Sequence, residues 1–333
     1  MREFLAVDAG GTSSRAVVVD ETGRCLGHGR AAGGNPTSVG LESAAVAVAD
    51  AIAQALTAAG PGATSEPVLL ANAGGGGEPF HAAILRHLEP HGVRGPLLPV
   101  GDLLALFCSG TPELDGAALI AGTGAIGGAI RDGRMARVVD GTGWLLGDAG
   151  SGFWIGHRAA RAVVDHLDGG AETRLTEAVL AALGVDDDRA LVDGRPRVMG
   201  RLVAALYALR PVELARFAPL VFALAGEDGV ATSIVRDAVE AQAALLRRVR
   251  RFQGDGPLVF GGSVLVEGSL RLDPSLLAPL LEAADGATPI PVADGLVGAA
   301  VLALRAAGIE VAADLFERLT AGVQVIPRAS ASR

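Results

Sequence analysis

An α/β fold is predicted by three observations: a glycine-turned hairpin near the start of the chain, a partial copy of it further on, and helical patterns alternating with apolar strands. Residues 4–19 read Phe-Leu-Ala-Val-Asp-Ala-Gly-Gly-Thr-Ser-Ser-Arg-Ala-Val-Val-Val, two apolar runs joined by glycines and hydroxyls. Such a turn presents bare backbone N–H groups and hydroxyls to an anion. Asp8 ends the first run, where a carboxylate can hold a hydrated Mg²⁺ beside phosphates. Residues 117–130, Ala-Ala-Leu-Ile-Ala-Gly-Thr-Gly-Ala-Ile-Gly-Gly-Ala-Ile, repeat the order strand, Gly-Thr-Gly turn, strand. A third apolar strand runs into glycines over 257–265.

Helical patterns fall at 41–59, 80–89, 151–167, 172–183, 197–209 and 230–252, and a short strand at 68–72. The Pro/Gly/Ser-rich stretch 61–67 and the Asp-rich stretch 184–196 read as loops, and the tail from Arg328 as frayed. Arg247, Arg248, Arg250 and Arg251 close the last helix, where cations meet the negative end of its dipole.

Composition removes whole classes of function. The chain has 28 Lys+Arg residues and every one is arginine, so a Walker-type loop, a kinase β3 lysine and Schiff-base chemistry are excluded. A net charge of −9 argues against a nucleic-acid surface. Half of the 333 residues are apolar, enough for two domains with large cores. Cys25 and Cys108 give no disulfide framework and no metal-ligand spacing. His81, His87 and His91 do not make a helical metal pair, because Pro90 intervenes. No basic leader and no uncharged 18-residue apolar run is seen, so a soluble cytoplasmic protein without membrane partners is expected.

Several residues carry candidate chemistry. Asp102 ends the run Leu-Leu-Pro-Val-Gly and opens a helix; it is either an N-cap or a general base for a substrate hydroxyl, and both roles are compatible. Residues 139–156 are dense in glycine around two aspartates and the chain's two tryptophans. Backbone there can approach a small polar ligand closely, with Asp140 or Asp148 accepting from its hydroxyls or an ammonium; alternatively Asp148 or Ser151 simply caps the following helix. Asn35, in Gly34-Asn35-Pro36, is an ordinary turn residue or a partner for a sugar hydroxyl. The four glycines 74–77 read as a loop or a mobile lip.

Taken together and in order, these pieces resemble the sugar kinases of the actin/Hsp70/hexokinase superfamily, and within it the N-acetylglucosamine kinase group of the BadF/BadG/BcrA/BcrD ATPase family. The resemblance runs through Asp8–Arg15 (Gly10, Gly11, Thr12, Ser13, Arg15) as the first phosphate motif, Gly34-Asn35-Pro36, Gly101-Asp102 at the place of the catalytic acid, and Gly122-Thr123-Gly124 as the second phosphate motif. It continues through 141–156 as the sugar loop and Gly261-Gly262-Ser263 as the adenosine motif. It implies two ribonuclease-H-like lobes around a central cleft, with lobe boundaries at 1–105 plus about 310–333 and at about 106–309. It further implies ATP and Mg²⁺ as cofactors, a homodimer, Thr12, Ser13, Thr123 and Gly124 as the phosphate cradle, and Gly261 and Gly262 beneath adenosine. Asp102 would be the base, Asp8 would hold Mg²⁺ through water, and Asn35, Gly124, Asp140, Gly141, Asp148 and Ser151 would hold the sugar.

Relatives commonly carry Gly-Trp-Gly and Gly-Asp-Glu-Gly-Ser in the sugar loop. Here the same places read Gly141-Thr142-Gly143 and Gly147-Asp148-Ala149-Gly150-Ser151. An acid at Asp140, near the sugar C2, favours an ammonium, so glucosamine is expected over N-acetylglucosamine. Two rivals stand beside this. A dehydratase-activating ATPase would need an iron–sulfur cluster, for which Cys25 and Cys108 form no motif. A non-catalytic sugar sensor on the same fold would have no use for both Asp8 and Asp102.

Overall fold

The structure, a computed structural model, describes residues 2–60, 67–93 and 95–324. The stretch 61–66 and the tail expected to fray lie outside the described residues. The first sheet holds β1 (Glu3–Ala9), β2 (Ser14–Asp20), β3 (Cys25–Ala31), β4 (Val68–Asn72) and β5 (Leu97–Gly101) in the order β3-β2-β1-β4-β5. β1 and β2 form the expected antiparallel hairpin, with Asp8 opposite Arg15 and Ala9 opposite Ser14. β4 and β5 run parallel to β1, pairing Ala9 with Asn72 and Asn72 with Gly101. The carboxyl ends of three parallel strands therefore share one edge, and Asp8, Asn72 and Asp102 meet there; ligands of open α/β sheets bind at such edges.

β3 was not legible as a strand, since Cys-Leu-Gly-His-Gly-Arg-Ala has neither an apolar run nor clean alternation. Its glycines have a packing cause. A Cβ on Gly27 would lie 2.3 Å from the Ala55 carbonyl, and one on Gly29 would lie 2.0 Å from that of Ala51. After the short α1 (Pro36–Val39), α2 (Leu41–Ala59) presses its alanine face onto the sheet through that bare surface. This helix is long and apolar enough by composition to cross a membrane, but it carries Glu42 and Asp50 and buries Ala44, Val48, Ile52 and Ala55 in the core of this sheet. α3 (Gly77–Leu88) and α4 (Asp102–Gly110) complete the first half.

The second sheet contains β6 (Gly116–Ala121), β7 (Ala125–Arg131) and β8 (Arg134–Asp140). Then follow α5 (Gly152–Leu167), α6 (Leu175–Leu183), the small ribbon β9 (Leu191–Val192) and β10 (Arg195–Pro196), α7 (Arg197–Tyr207), α8 (Ala218–Leu224) and α9 (Gly229–Arg250). β11 (Leu258–Gly261), α10 (Pro274–Ala284), β12 (Ile290–Val292), α11 (Leu296–Ala306) and α12 (Ala313–Gln324) end the described chain. The strand order is β8-β7-β6-β11-β12, the same hairpin-first order as in the first sheet. The repeat of the glycine hairpin thus extends to a repeat of sheet topology. The ribbon lies inside the stretch expected to be all loop. α6 starts at Leu175 rather than 172, because Asp228 accepts from Thr173 Oγ1 (3.1 Å) and the Arg174 N–H (2.7 Å) and holds those residues out of the helix.

By packing, the chain divides into two compact units: Met1–Ala118 with Ile130–Arg134 and Ile290–Arg333, and Leu119–Ala129 with Met135–Pro289. The motif-based boundaries near 106 and 310 differ from these. α4 and α11 both belong to the first unit, where a Cβ on Gly298 of α11 would lie 1.8 Å from the Ala105 carbonyl of α4.

Candidate functional site

In the first unit the turn after β1 is closed by Gly10 N–H donating to the Ser13 carbonyl (3.0 Å), and braced by Gly34 N–H donating to Gly10 (2.9 Å). Gly33 is glycine because a Cβ there would lie 2.3 Å from the Gly11 carbonyl. Among the described residues nothing accepts from the N–H groups of Gly11, Thr12 or Ser13, and Gly11 and Thr12 are exposed. The turn is therefore a set of free donors on a fixed frame, which suits an anion. Asn35 caps α1, accepting from Thr37 N–H at 2.9 Å, and leaves its amide NH₂ unpartnered among the described residues. Turn and ligand readings of Asn35 remain compatible. The 74–77 loop holds all four glycines at positive φ, and Asn72 Nδ2 donates to the Gly75 carbonyl, so its shape is fixed by backbone chemistry.

Two acids of this unit are shifted together. Burial above all, with the charges of Asp294 and Asp102, lifts the Asp8 carboxyl to about 7 against the Gly295 N–H and Arg15. Burial lifts Asp102 to about 6, opposed by the Leu103 N–H that its Oδ1 accepts from at 2.9 Å. α4 begins at Asp102 itself, with Gly101 in the cap position, so Asp102 sits in the first turn and not at the cap. Asp294 was not singled out in the sequence. It lies ahead of α11, accepts from Arg15 Nη1, and is followed by Gly295, whose N–H donates to Asp8 Oδ2 at 3.0 Å. The available signal was Val-Ala-Asp-Gly before an apolar helix, the same pattern that marks Asp102.

Three carboxylates against one guanidinium leave a local excess of negative charge that burial makes costly. Hard oxygen donors in such a field fit Mg²⁺. Among the described residues no group of three His, Cys, Asp or Glu could hold a metal ion by itself. Cys108 is buried with its thiol pushed up to about 11, and Cys25 sits at the start of β3. His87 is taken by Glu42 at 2.8 Å.

In the second unit three motifs converge. The Gly122–Gly124 turn is closed by Gly122 N–H donating to Gly124 O (2.9 Å), and Gly152 and Phe153 at the start of α5 donate to Gly122 and Thr123 at 2.7 and 3.1 Å. Gly262, at φ +86°, passes so close that a Cβ would lie 2.4 Å from the Ala121 carbonyl. The 261–263 motif is therefore stacked on the second hairpin turn.

The sugar-loop residues hold one another. Asp148, at φ +61° and 8% exposed, accepts from Ala125 N–H at 2.9 Å. Its carboxyl is pushed up by burial and by Asp140, against that N–H. Asp140 Oδ1 accepts from Asp148 N–H (3.1 Å) and Thr142 Oγ1 (3.3 Å). Gly141, at φ +71°, tucks against Ile126. Ser151, and not Asp148, caps α5 by accepting from the Trp154 N–H at 3.3 Å, and it is fully buried. Arg15, expected at the nucleotide, forms an ion pair with Asp294.

Two sheets of matching order, each with a glycine hairpin, define the class: an α/β protein with the actin-like fold of sugar kinases and related ATPases. The chain belongs to the BadF/BadG/BcrA/BcrD ATPase family, whose pattern matches residues 5–303. A candidate N-acetylglucosamine kinase from Chromobacterium violaceum superposes with a TM-score of 0.69 at 26% identity, over 91% of this chain and 99% of that one. A second candidate, from Porphyromonas gingivalis, gives 0.64 at 23% identity, over 90% and 97%. Glucosamine kinase GspK of Vibrio cholerae serotype O1 is 29% identical over 172 residues, 51% of this chain. The match spans only 57% of that relative's length.

Proposed function

We propose that this protein is an ATP-dependent kinase that phosphorylates the 6-hydroxyl of an amino sugar, converting D-glucosamine to glucosamine 6-phosphate. The observation that carries the reading is the pair Asp8 and Asp102 on one sheet edge. One acid sits beside a turn of free N–H donors, and the other is tuned to about 6. A base of that pKa is ionised at neutral pH and still takes a proton readily.

In this reading Asp102 accepts the proton of the sugar hydroxyl as it attacks the terminal phosphorus. Gly11, Thr12 and Ser13 donate to phosphate oxygens from the turn that Gly10 closes, and Thr123 and Gly124 carry the second phosphate motif. Gly261, Gly262 and Ser263 offer flat backbone to adenosine. Asn35 and the loop of Asp140, Gly141 and Asp148 receive the sugar. Asp8 would hold Mg²⁺ through water, and the ion would supply neutralisation of the phosphate charge. Phosphoryl transfer needs chiefly such positioning and neutralisation, so no lysine is required.

N-acetylglucosamine kinase is the second reading, favoured by the likeness to the C. violaceum protein. Glucosamine is preferred because Asp140 commits one carboxylate oxygen to the loop and leaves Oδ2 for an ammonium. ADP release measured with glucose, glucosamine, N-acetylglucosamine and mannosamine tests both. Highest kcat/KM on glucosamine is expected; a clear preference for the acetylated sugar replaces the first reading with the second, and no release on any of them defeats the kinase. A cytoplasmic homodimer is the setting the family likeness suggests, and light scattering on the purified chain tests the dimer.

A further inference from the structure

We infer that Arg15, Asp294 and Gly295 form a brace that aims the Asp8 carboxylate, and that Arg15 serves Asp294 and not the nucleotide. The inference rests on the kinase reading in one respect: a hydrated Mg²⁺ is what Asp8 is aimed at. Arg15 stands directly across from Asp8 in the β1–β2 ladder, yet its guanidinium reaches past Asp8 to Asp294. Both side chains of that pair are less than one-fifth exposed, at 18% and 16%. Asp294 Oδ1 in turn accepts from the Leu296 N–H at 3.2 Å, fixing the entry to α11. The same entry points the Gly295 N–H at Asp8 Oδ2, 3.0 Å away.

Gly295 has an ordinary φ of −87°, so its backbone does not demand glycine. Space is tight there, however: a Cβ would lie 3.1 Å from Asp8 Oδ1 and 3.3 Å from the Ala105 Cβ, so the Asp8 carboxylate would have to give by a few tenths of an ångström. One oxygen of Asp8 is thus held by a backbone donor, and the other lies against a position kept bare. A carboxylate fixed at one oxygen presents the other in a single orientation, which is what outer partners of metal-holding groups provide. Arg15, Asp294 and Gly295 are positioning residues.

The test reads Mn²⁺ binding to the full chain by electron paramagnetic resonance with a non-hydrolysable ATP analogue present. Metal-free binding of the same analogue is read by calorimetry. D294N and R15M should each weaken Mn²⁺ binding by about 10–100-fold. The double variant should be no worse than the weaker single one, since the pair acts as a unit. Metal-free analogue affinity should be unchanged.

Breaking a buried ion pair can itself unfold a protein, so G295A provides a variant that keeps every charge. Its methyl group displaces the Asp8 carboxylate, and Mn²⁺ binding should fall while the circular dichroism spectrum is retained. The inference is overturned if R15M weakens metal-free analogue binding and spares Mn²⁺, if the two single effects add, or if G295A binds Mn²⁺ as the parent does. Absence of sugar turnover in the parent would remove the kinase reading without touching these affinities.

Discussion

Burial at a sheet edge sets the basicity of the Asp102 carboxyl. A carboxyl raised to about 6 by loss of water is a stronger base than an exposed one and is still mostly ionised at pH 7. With MgATP saturating, kcat/KM for the sugar should therefore rise with pH through about 6 and level off above it. D102N should lower kcat by about 10²–10⁴-fold, abolish that limb of the profile and leave sugar KM nearly unchanged; a variant that keeps the limb would assign the base elsewhere. Residues of the sugar loop teach a different lesson. Asp148 and Ser151 look in sequence like ligands or caps, but only the fold reveals that Ser151 is the cap and that Asp148 pins the second hairpin.

At the scale of elements, bare glycine surfaces decide which pieces can touch. β3 accepts α2 only because Gly27 and Gly29 offer no Cβ to the helix backbone. G29A should destabilise the fold by about 1–3 kcal/mol, as overpacking does; urea unfolding should show a lower midpoint with an unchanged slope. Gly262 combines a left-handed φ with contact against Ala121 and Gly122. G262A should raise KM for ATP while leaving sugar KM close to the parent value, and steady-state kinetics with each substrate varied will read the split. Long helices and the glycine hairpins were legible because periodicity and turn chemistry are local. β3, β8 and the short β12 were not, since their pairing partners, and not their own pattern, make them strands.

For the whole molecule, the raised acids make stability depend on pH and on cations. The folded pKa of Asp8, about 7, lies above the ordinary aspartate value of 3.8, so the folded chain binds more protons than the unfolded one between those values. This group's contribution to stability is therefore full below that window and falls as pH rises through it. A divalent cation at the ionised carboxylate, as proposed, would offset the loss. Mg²⁺ with a non-hydrolysable ATP analogue should raise Tm more at pH 8 than at pH 5.5, in differential scanning fluorimetry with ligand held constant. An equal rise at both pH values would argue against metal at Asp8.

The sequence by itself determined the α/β class, both hairpin turns, the exclusion of lysine-based chemistry, and Asp8 and Asp102 as the acids to watch. Each of these is written in a short stretch of neighbouring residues. Only the tertiary structure decided that Arg15 pairs with Asp294, that Gly295 packs tightly beside Asp8, and that α11 returns to the first unit. Those partners stand almost three hundred residues apart along the chain, and a pairing across such a separation is set by how sheets and helices pack.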